Sequence, residues 1–213
     1  MRNPPLNRIV ECLLKEYDSE WFARSNKRDP YRILVSCLLS LRTKDEVTIP
    51  ATERLFSLAD TPGKMVKLKE RTVAKVIYPV GFYNVKAGRI LEISRTLIKK
   101  FDSTVPDDID TLLTLKGVGR KTANLVVSLG YGKPGLCVDT HVHRISNRLG
   151  LVKTRTPHET EFALRKILPQ RYWMPFNNIL VRHGQKVCRP ISPLCSRCMI
   201  GRYCRKVGVA RSR

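Results

Sequence analysis

From Leu6 to Val187 apolar residues recur three and four positions apart, and no segment sustains the strict alternation that a half-buried strand requires. Helix is then the one regular element available, and an all-α chain is expected. Leu6, Ile9, Val10, Leu13 and Leu14 share a face over residues 6–17. Asp29-Pro30 opens a second helix through Ile33, Leu34, Cys37, Leu38 and Leu41, apolar almost all round up to Leu39, as a buried central helix must be. It stops at an abrupt polar change, Ser40-Leu41-Arg42-Thr43-Lys44-Asp45. Further helices are expected over 45–58, after Thr61-Pro62, after the turn Gly81-Phe82-Tyr83, over 108–115 and over 177–187. Thr156-Pro157 starts another, with Phe162, Ala163, Leu164, Ile167 and Leu168 as its apolar positions.

The stretch from Leu115 to Asp139 carries the chemistry. A tight turn, Lys116-Gly117-Val118-Gly119, leads into a helix from about Arg120. Glycines let the backbone turn sharply and approach a ligand, and the unpaired N–H groups of a helix start attract anions. On that helix Ala123, Val126, Val127 and Gly130 fall on one side, and Lys121, Leu125 and Ser128 on the other. Asp139 stands where an N-cap belongs, before a helix that turns Val142, Ile145, Ser146 and Leu149 inward. His141 and Arg144 lie on its solvent side with Arg148, where phosphate contact is open to them. The turn is not a P-loop, since Arg120 stands where that motif needs glycine and no buried strand precedes it.

The 213 residues hold 40 Lys plus Arg against 18 Asp plus Glu, a formal charge of +22. Such an excess repels itself and draws a polyanion, nucleic acid before others. The longest mostly apolar run, Ile33 to Leu41, is too short to span a bilayer, and acidic residues interrupt the N-terminal stretch where a secretory signal would be apolar. A protein without membrane association, intracellular and either cytoplasmic or nucleoid-associated, is expected. Seven cysteines are an odd number, which argues against a fully paired secreted scaffold. Cys12, Cys37 and Cys137 read as small buried hydrophobes. Cys188, Cys195, Cys198 and Cys204 have the form C-x6-C-x2-C-x5-C, the spacing of a tetrahedral metal centre, either zinc or iron-sulfur; the spacing does not choose between them.

Leu115-Lys116-Gly117-Val118-Gly119-Arg120-Lys121-Thr122-Ala123-Asn124, followed by Val138-Asp139-Thr140-His141-Val142-His143-Arg144, resembles the helix-hairpin-helix and Gly/Pro-Asp motif of the endonuclease III family of DNA glycosylases. The likeness extends over essentially the whole chain. It implies that Lys121 is the nucleophile and Asp139 the second catalytic residue, with Lys116, Gly117, Val118, Gly119, Arg120, His141 and Arg144 on the DNA. Arg42 stands where relatives often carry a glutamine that fills the gap left by a flipped nucleotide, and Phe82 where they commonly carry a wedging leucine. Arginine can fork to a base edge or a phosphate but cannot accept a hydrogen bond as glutamine does. The resemblance also implies a [4Fe-4S] cluster on Cys188, Cys195, Cys198 and Cys204. Two helical lobes are implied, a central one over residues 22–132 and a second made of residues 1–21 and 133–213.

The activity implied is that of a monomeric bifunctional glycosylase and abasic-site lyase. It removes oxidised pyrimidines from double-stranded DNA and cuts 3' to the abasic site by beta-elimination, in base excision repair. The alternatives are a G:U or G:T mismatch glycosylase and a non-catalytic helix-hairpin-helix DNA-binding protein.

Overall fold

The computed structural model describes residues 4–17 and 29–213. Its regular elements among those residues are all helical: α1 (Leu6–Tyr17), α2 (Pro30–Ser40), α3 (Asp45–Leu58), α4 (Pro62–Met65), α5 (Glu70–Ile77), α6 (Tyr83–Phe101), α7 (Ile109–Leu113), α8 (Arg120–Leu125), α9 (Thr140–Leu149), α10 (Pro157–Ile167) and α11 (Trp173–Lys186). A π-helical turn, Val126–Gly130, continues α8. The chain forms two compact units, Lys27–Lys133 and Met1–Asn26 with Pro134–Arg213. The lobe boundary expected between residues 21 and 22 lies outside the described residues. Among the described residues no helix is long and apolar enough to cross a membrane.

In the 27–133 unit α2 is the central helix. Asp29 caps it by accepting a hydrogen bond from Tyr31 N, and Pro30 occupies its first position, where the missing N–H costs nothing. Leu34, Val35, Leu38 and Leu39 are buried from different sides, packed with Leu55, Ile77, Ile90, Leu97, Leu112 and Val126. Hydrophobic burial of this kind holds the unit together, at about 1.5–3 kcal/mol per large side chain.

The second unit buries Ile9, Val10 and Leu13 of α1 with Val142, Ile145 and Leu149 of α9 and Phe176, Ile179 and Leu180 of α11. Gly184 lets α11 lie close against α9, since a side chain there would collide with His141. In α10 the expected apolar face is rotated: Phe162 and Ile167 are exposed while Thr160 and Glu161 are buried. The reason is polar. Thr160 Oγ1 is hydrogen-bonded to His143 Nδ1 at 2.7 Å, and Glu161 accepts from Arg165 at 2.8 Å, so this face is held by satisfied polar groups.

The C-terminal segment corrects the expected fold in one respect. It is a set of short turns, Cys195–Arg197 and Gly201–Tyr203, fastened by backbone hydrogen bonds from Val207 N to Arg148 O at 3.1 Å and from Arg213 N to Pro193 O at 2.9 Å. Among the described residues no metal-holding group of side chains organises it.

Candidate active site and nucleic-acid interface

The hairpin is built from local rules. Asp108 caps α7 by accepting from Thr111 N at 2.8 Å, and Gly117, at φ 84°, reverses the chain. Val118 donates its N–H to Leu115 O at 3.0 Å and buries its side chain, so it serves the turn and offers a ligand neither group. Lys116, Gly117 and Gly119 are exposed and Arg120 is half-buried. Lys116 is paired with Glu92 at 3.2 Å, an exposed ion pair weak enough, at about 0–1 kcal/mol, to yield to a phosphate.

Lys121 is the exposed residue on an otherwise buried stretch of α8. Thr122, Ala123 and Asn124 are buried, and the π turn brings Val126, Val127 and Ser128 inward as well. Ser128, expected on the outer side, donates to Asn124 O at 2.7 Å from within the core; the extra residue of the π turn is what rotates it there. Gly130 seats this turn on Pro30, at the start of α2. From α2, Cys37 feels the Lys121 charge: burial pushes the Cys37 thiol up to about 12, and the lysine opposes that rise. Cys37 lines an open cleft of about 730 Å³ with Asp29, Arg32, Ser36, Ser40, Asp45, Thr48 and Leu129. Hydroxyls and carboxylates thus face this hollow, and Cys37 on its wall is the residue that feels the Lys121 charge.

In the other unit Asp139 caps α9, its Oδ1 accepting from both His141 N and Val142 N at 2.9 Å. Both bonds fall on one oxygen, which leaves Oδ2 outside the cap. Arg144 is half-buried and committed in part: its Nη2 donates to Cys188 O at 3.0 Å and lies 3.1 Å from His141 Nδ1. Burial lowers its pKa from the ordinary arginine value. It braces α9 against the C-terminal segment.

Arg42 and Phe82 come together. Each has a left-handed backbone, φ 54° and 57°, and Phe82 is 60% exposed. The guanidinium lies 5.9 Å from the Phe82 ring centroid, within cation–π range. The residue that joins their two loops is one that the sequence patterns passed over. Lys86, 8% exposed, donates from Nζ to Leu39 O at 2.7 Å, Leu41 O at 2.6 Å and Thr43 Oγ1 at 3.2 Å. Its signal was available: Lys86 stands four residues before Ile90 on the face of α6 that also buries Leu97.

Comparison with known proteins decides the family. Residues 35–170 match the HhH-GPD superfamily of base excision DNA repair proteins. Endonuclease III of Thermotoga maritima is 47% identical over 196 residues, 92% of each chain. The chain belongs to the endonuclease III family. The structure of a trapped endonuclease III–DNA covalent intermediate matches with a TM-score of 0.85 at 32% identity, covering 97% of each chain. A thermostable thymine-DNA glycosylase matches with a TM-score of 0.82 at 26% identity, covering 94% of this chain and 95% of that one.

For a member of the endonuclease III family the C-terminal cysteines were expected to hold a [4Fe-4S] cluster, and this expectation is corrected. Among the described residues no group of three or more His, Cys, Asp or Glu side chains is placed to hold a metal ion. Cys188, Cys195, Cys198 and Cys204 line one largely apolar pocket with Ile145, Leu149 and His183, but the space there is about 20 Å³, room for about one water. Three of the four sulfurs contact Arg148 or His183. Cys188 Sγ accepts from Arg148 at 3.5 Å, Cys204 Sγ lies 3.4 Å from Arg148 O, and Cys198 Sγ lies 3.6 Å from His183 Nε2. Burial pushes the Cys198 thiol up to about 11 and raises Cys204 too, with the neighbouring cysteines adding to both shifts.

Proposed function

We propose that this chain excises oxidised pyrimidines from double-stranded DNA and then cuts the strand 3' to the abasic site, using Lys121 as nucleophile and Asp139 as its electrostatic partner. It is a DNA glycosylase and abasic-site lyase of base excision repair. The observation that carries the reading is the exposed amine of Lys121, alone on a buried helix behind a glycine turn, in a chain that matches a trapped covalent protein–DNA intermediate over 97% of its length.

The chemistry follows from charge. Breaking the N-glycosidic bond leaves positive charge on the deoxyribose and negative charge on the departing base. The Asp139 carboxylate stabilises the sugar cation, and the neutral Lys121 amine adds to C1' as the base leaves with the bonding electron pair. Loss of a proton from nitrogen and opening of the sugar give an imine. The imine acidifies the C2' proton; its removal expels the 3' phosphate, and the strand breaks. The target nucleotide leaves the stack to reach the amine, Arg42 and Phe82 occupy the space it vacates, and the turn at Lys116, Gly117, Gly119 and Arg120 holds backbone phosphate. His141 and Arg144 add contacts from α9, and work on chromosomal DNA would put the protein at the nucleoid.

The test is borohydride trapping on matched duplexes carrying thymine glycol, an abasic site, G:U, G:T or no lesion, beside Lys121→Ala. A covalent product with thymine glycol that the variant loses supports the reading. Excision confined to G:U and G:T supports a mismatch glycosylase, a reading that the likeness to the thymine-DNA glycosylase keeps in play. Tight binding without trapping on any duplex overturns both in favour of a binding protein.

A further inference from the structure

We propose that Lys86 is a positioning residue for base extrusion. It ties the loop after α2 to the turn before α6, so that Arg42 and Phe82 meet the duplex as one rigid wedge. The inference rests on the excision reading above and assigns Lys86 no part in the chemistry.

The geometry converges on one amine. An ammonium carries three protons, and Lys86 Nζ has three oxygen acceptors: the carbonyls of Leu39 and Leu41 and the hydroxyl of Thr43. The two carbonyls belong to the end of α2, where helical partners run out. Thr43 Oγ1 also accepts from Gly81 N at 3.1 Å, and a side chain at Gly81 would press on Arg42 O and Thr43 Oγ1, each 3.2 Å from its Cβ position. Lys86 N in turn donates to Phe82 O at 3.0 Å. Arg42 is therefore flanked by two residues that the amine grips, and Phe82 by Gly81, held through Thr43, while its own carbonyl is held by the Lys86 backbone.

Strain explains why such a clamp is needed. A non-glycine residue in the left-handed region is strained and persists where surrounding contacts over-determine it. Arg42 and Phe82 are both such residues, both exposed, and neither side chain gains burial in return. A buried lysine is itself costly and is seldom kept without a carboxylate partner. The hydrogen bonds of Lys86 are spent on the two loops whose tips are strained.

The experiment compares two substrates for Lys86→Met, which keeps the stem and removes the donors. One duplex carries thymine glycol in a normal pair; in the other a preformed abasic site faces a one-nucleotide gap, so there is no base to extrude and no partner to wedge. Single-turnover excision on the first should fall roughly 10- to 100-fold, since about 1 Å of misplacement is worth up to about 100-fold. Strand cleavage on the second should stay within about 2-fold. Equal loss on both substrates, or no loss on either, overturns the clamp. If K86M does not fold, Thr43→Val, which removes the shared hydroxyl and leaves the amine in place, should show the same selectivity at smaller size, and an unselective T43V overturns the proposal equally. Wild-type protein inactive on both substrates would instead overturn the excision reading, and this proposal with it.

Discussion

Two glycine turns in the 27–133 unit each lead into a helix that carries a lysine near its start, and the two lysines meet opposite fates. Before α8 the turn Lys116 to Gly119 delivers Lys121, whose side chain is exposed. Before α6 the turn around Gly81 and Phe82 delivers Lys86, which is 8% exposed and holds three oxygens. The local grammar is shared, and what differs is the face. Lys86 lies on the side of α6 that carries Ile90, Ser94 and Leu97 into the core, whereas Lys121 lies opposite Ala123 and Val126. An amine in solvent keeps its lone pair available once deprotonated and can add to carbon. One whose protons are spent on carbonyls can only hold shape.

The sharpest way to break this comparison is to remove the exposed amine. Lys121→Ala should reduce borohydride-trapped product to background with a nearly unchanged thermal midpoint, because the side chain is exposed. Retained trapping would make another lysine the nucleophile and end the division of labour between the two turns.

Asp139 then separates charge from capping. Asp139→Asn keeps an acceptor for His141 N and Val142 N but loses the carboxylate charge, so excision should fall on the order of 100-fold with stability nearly unchanged. Asp139→Ala should lose the same activity and about 1 kcal/mol of stability besides, read by urea denaturation. If D139N retains full activity, the residue is a cap and nothing more. The selective defect expected for Lys86→Met falls below these two in size.

How much of this was legible in the sequence depends on how local the cause is. The capped starts at Asp29, Asp108 and Asp139 and the glycine turn at Gly117 rest on a few neighbouring residues, and the pattern carries them. A uniform helical period puts Ser128 on the wrong side because a π turn shifts the register by one residue. Periodicity counts apolar residues and so points Phe162 and Ile167 inward, whereas α10 buries Thr160 and Glu161 with partners of their own. The cysteine spacing is legible, but the sulfurs' surroundings are set by residues distant in sequence: Arg148 contacts Cys188 and Cys204, and His183 contacts Cys198. Lys86 was passed over for a related reason: its acceptors lie 43 to 47 residues away in sequence.

A smaller effect is expected at Phe82. Phe82→Gly removes the ring and relieves the left-handed strain at φ 57°, while glycine's greater freedom in the unfolded chain offsets that relief. Stability should stay within about 1 kcal/mol of wild type while extrusion of a paired lesion slows, a split that a core phenylalanine could not give. A loss of several kcal/mol would mean that the ring is held by packing, contrary to its exposure.

The smallest effect is one of pH, and its two readouts move in opposite directions. Burial lowers the Lys86 amine from its ordinary value of 10.5 to about 8, with no charged group contributing; Arg42, Lys44 and Asp45 on the facing loop are all exposed. Between pH 8 and 10.5 the unfolded chain therefore binds a proton at this residue that the folded chain has released, so stability from this residue rises with pH through that window and is lost as pH falls through 8. Wild type should gain on Lys86→Met in denaturation midpoint between pH 7 and 9.5. Over the same window the neutral amine keeps two protons for three acceptors, so the wedge loosens and the rate on the paired lesion should drop relative to the gapped abasic duplex. Taking the ratio of the two rates cancels any pH dependence of the chemical step that both substrates share. A ratio flat with pH alongside a rising midpoint would make Lys86 a stability element only, and the two glycine turns would then differ in burial without differing in function.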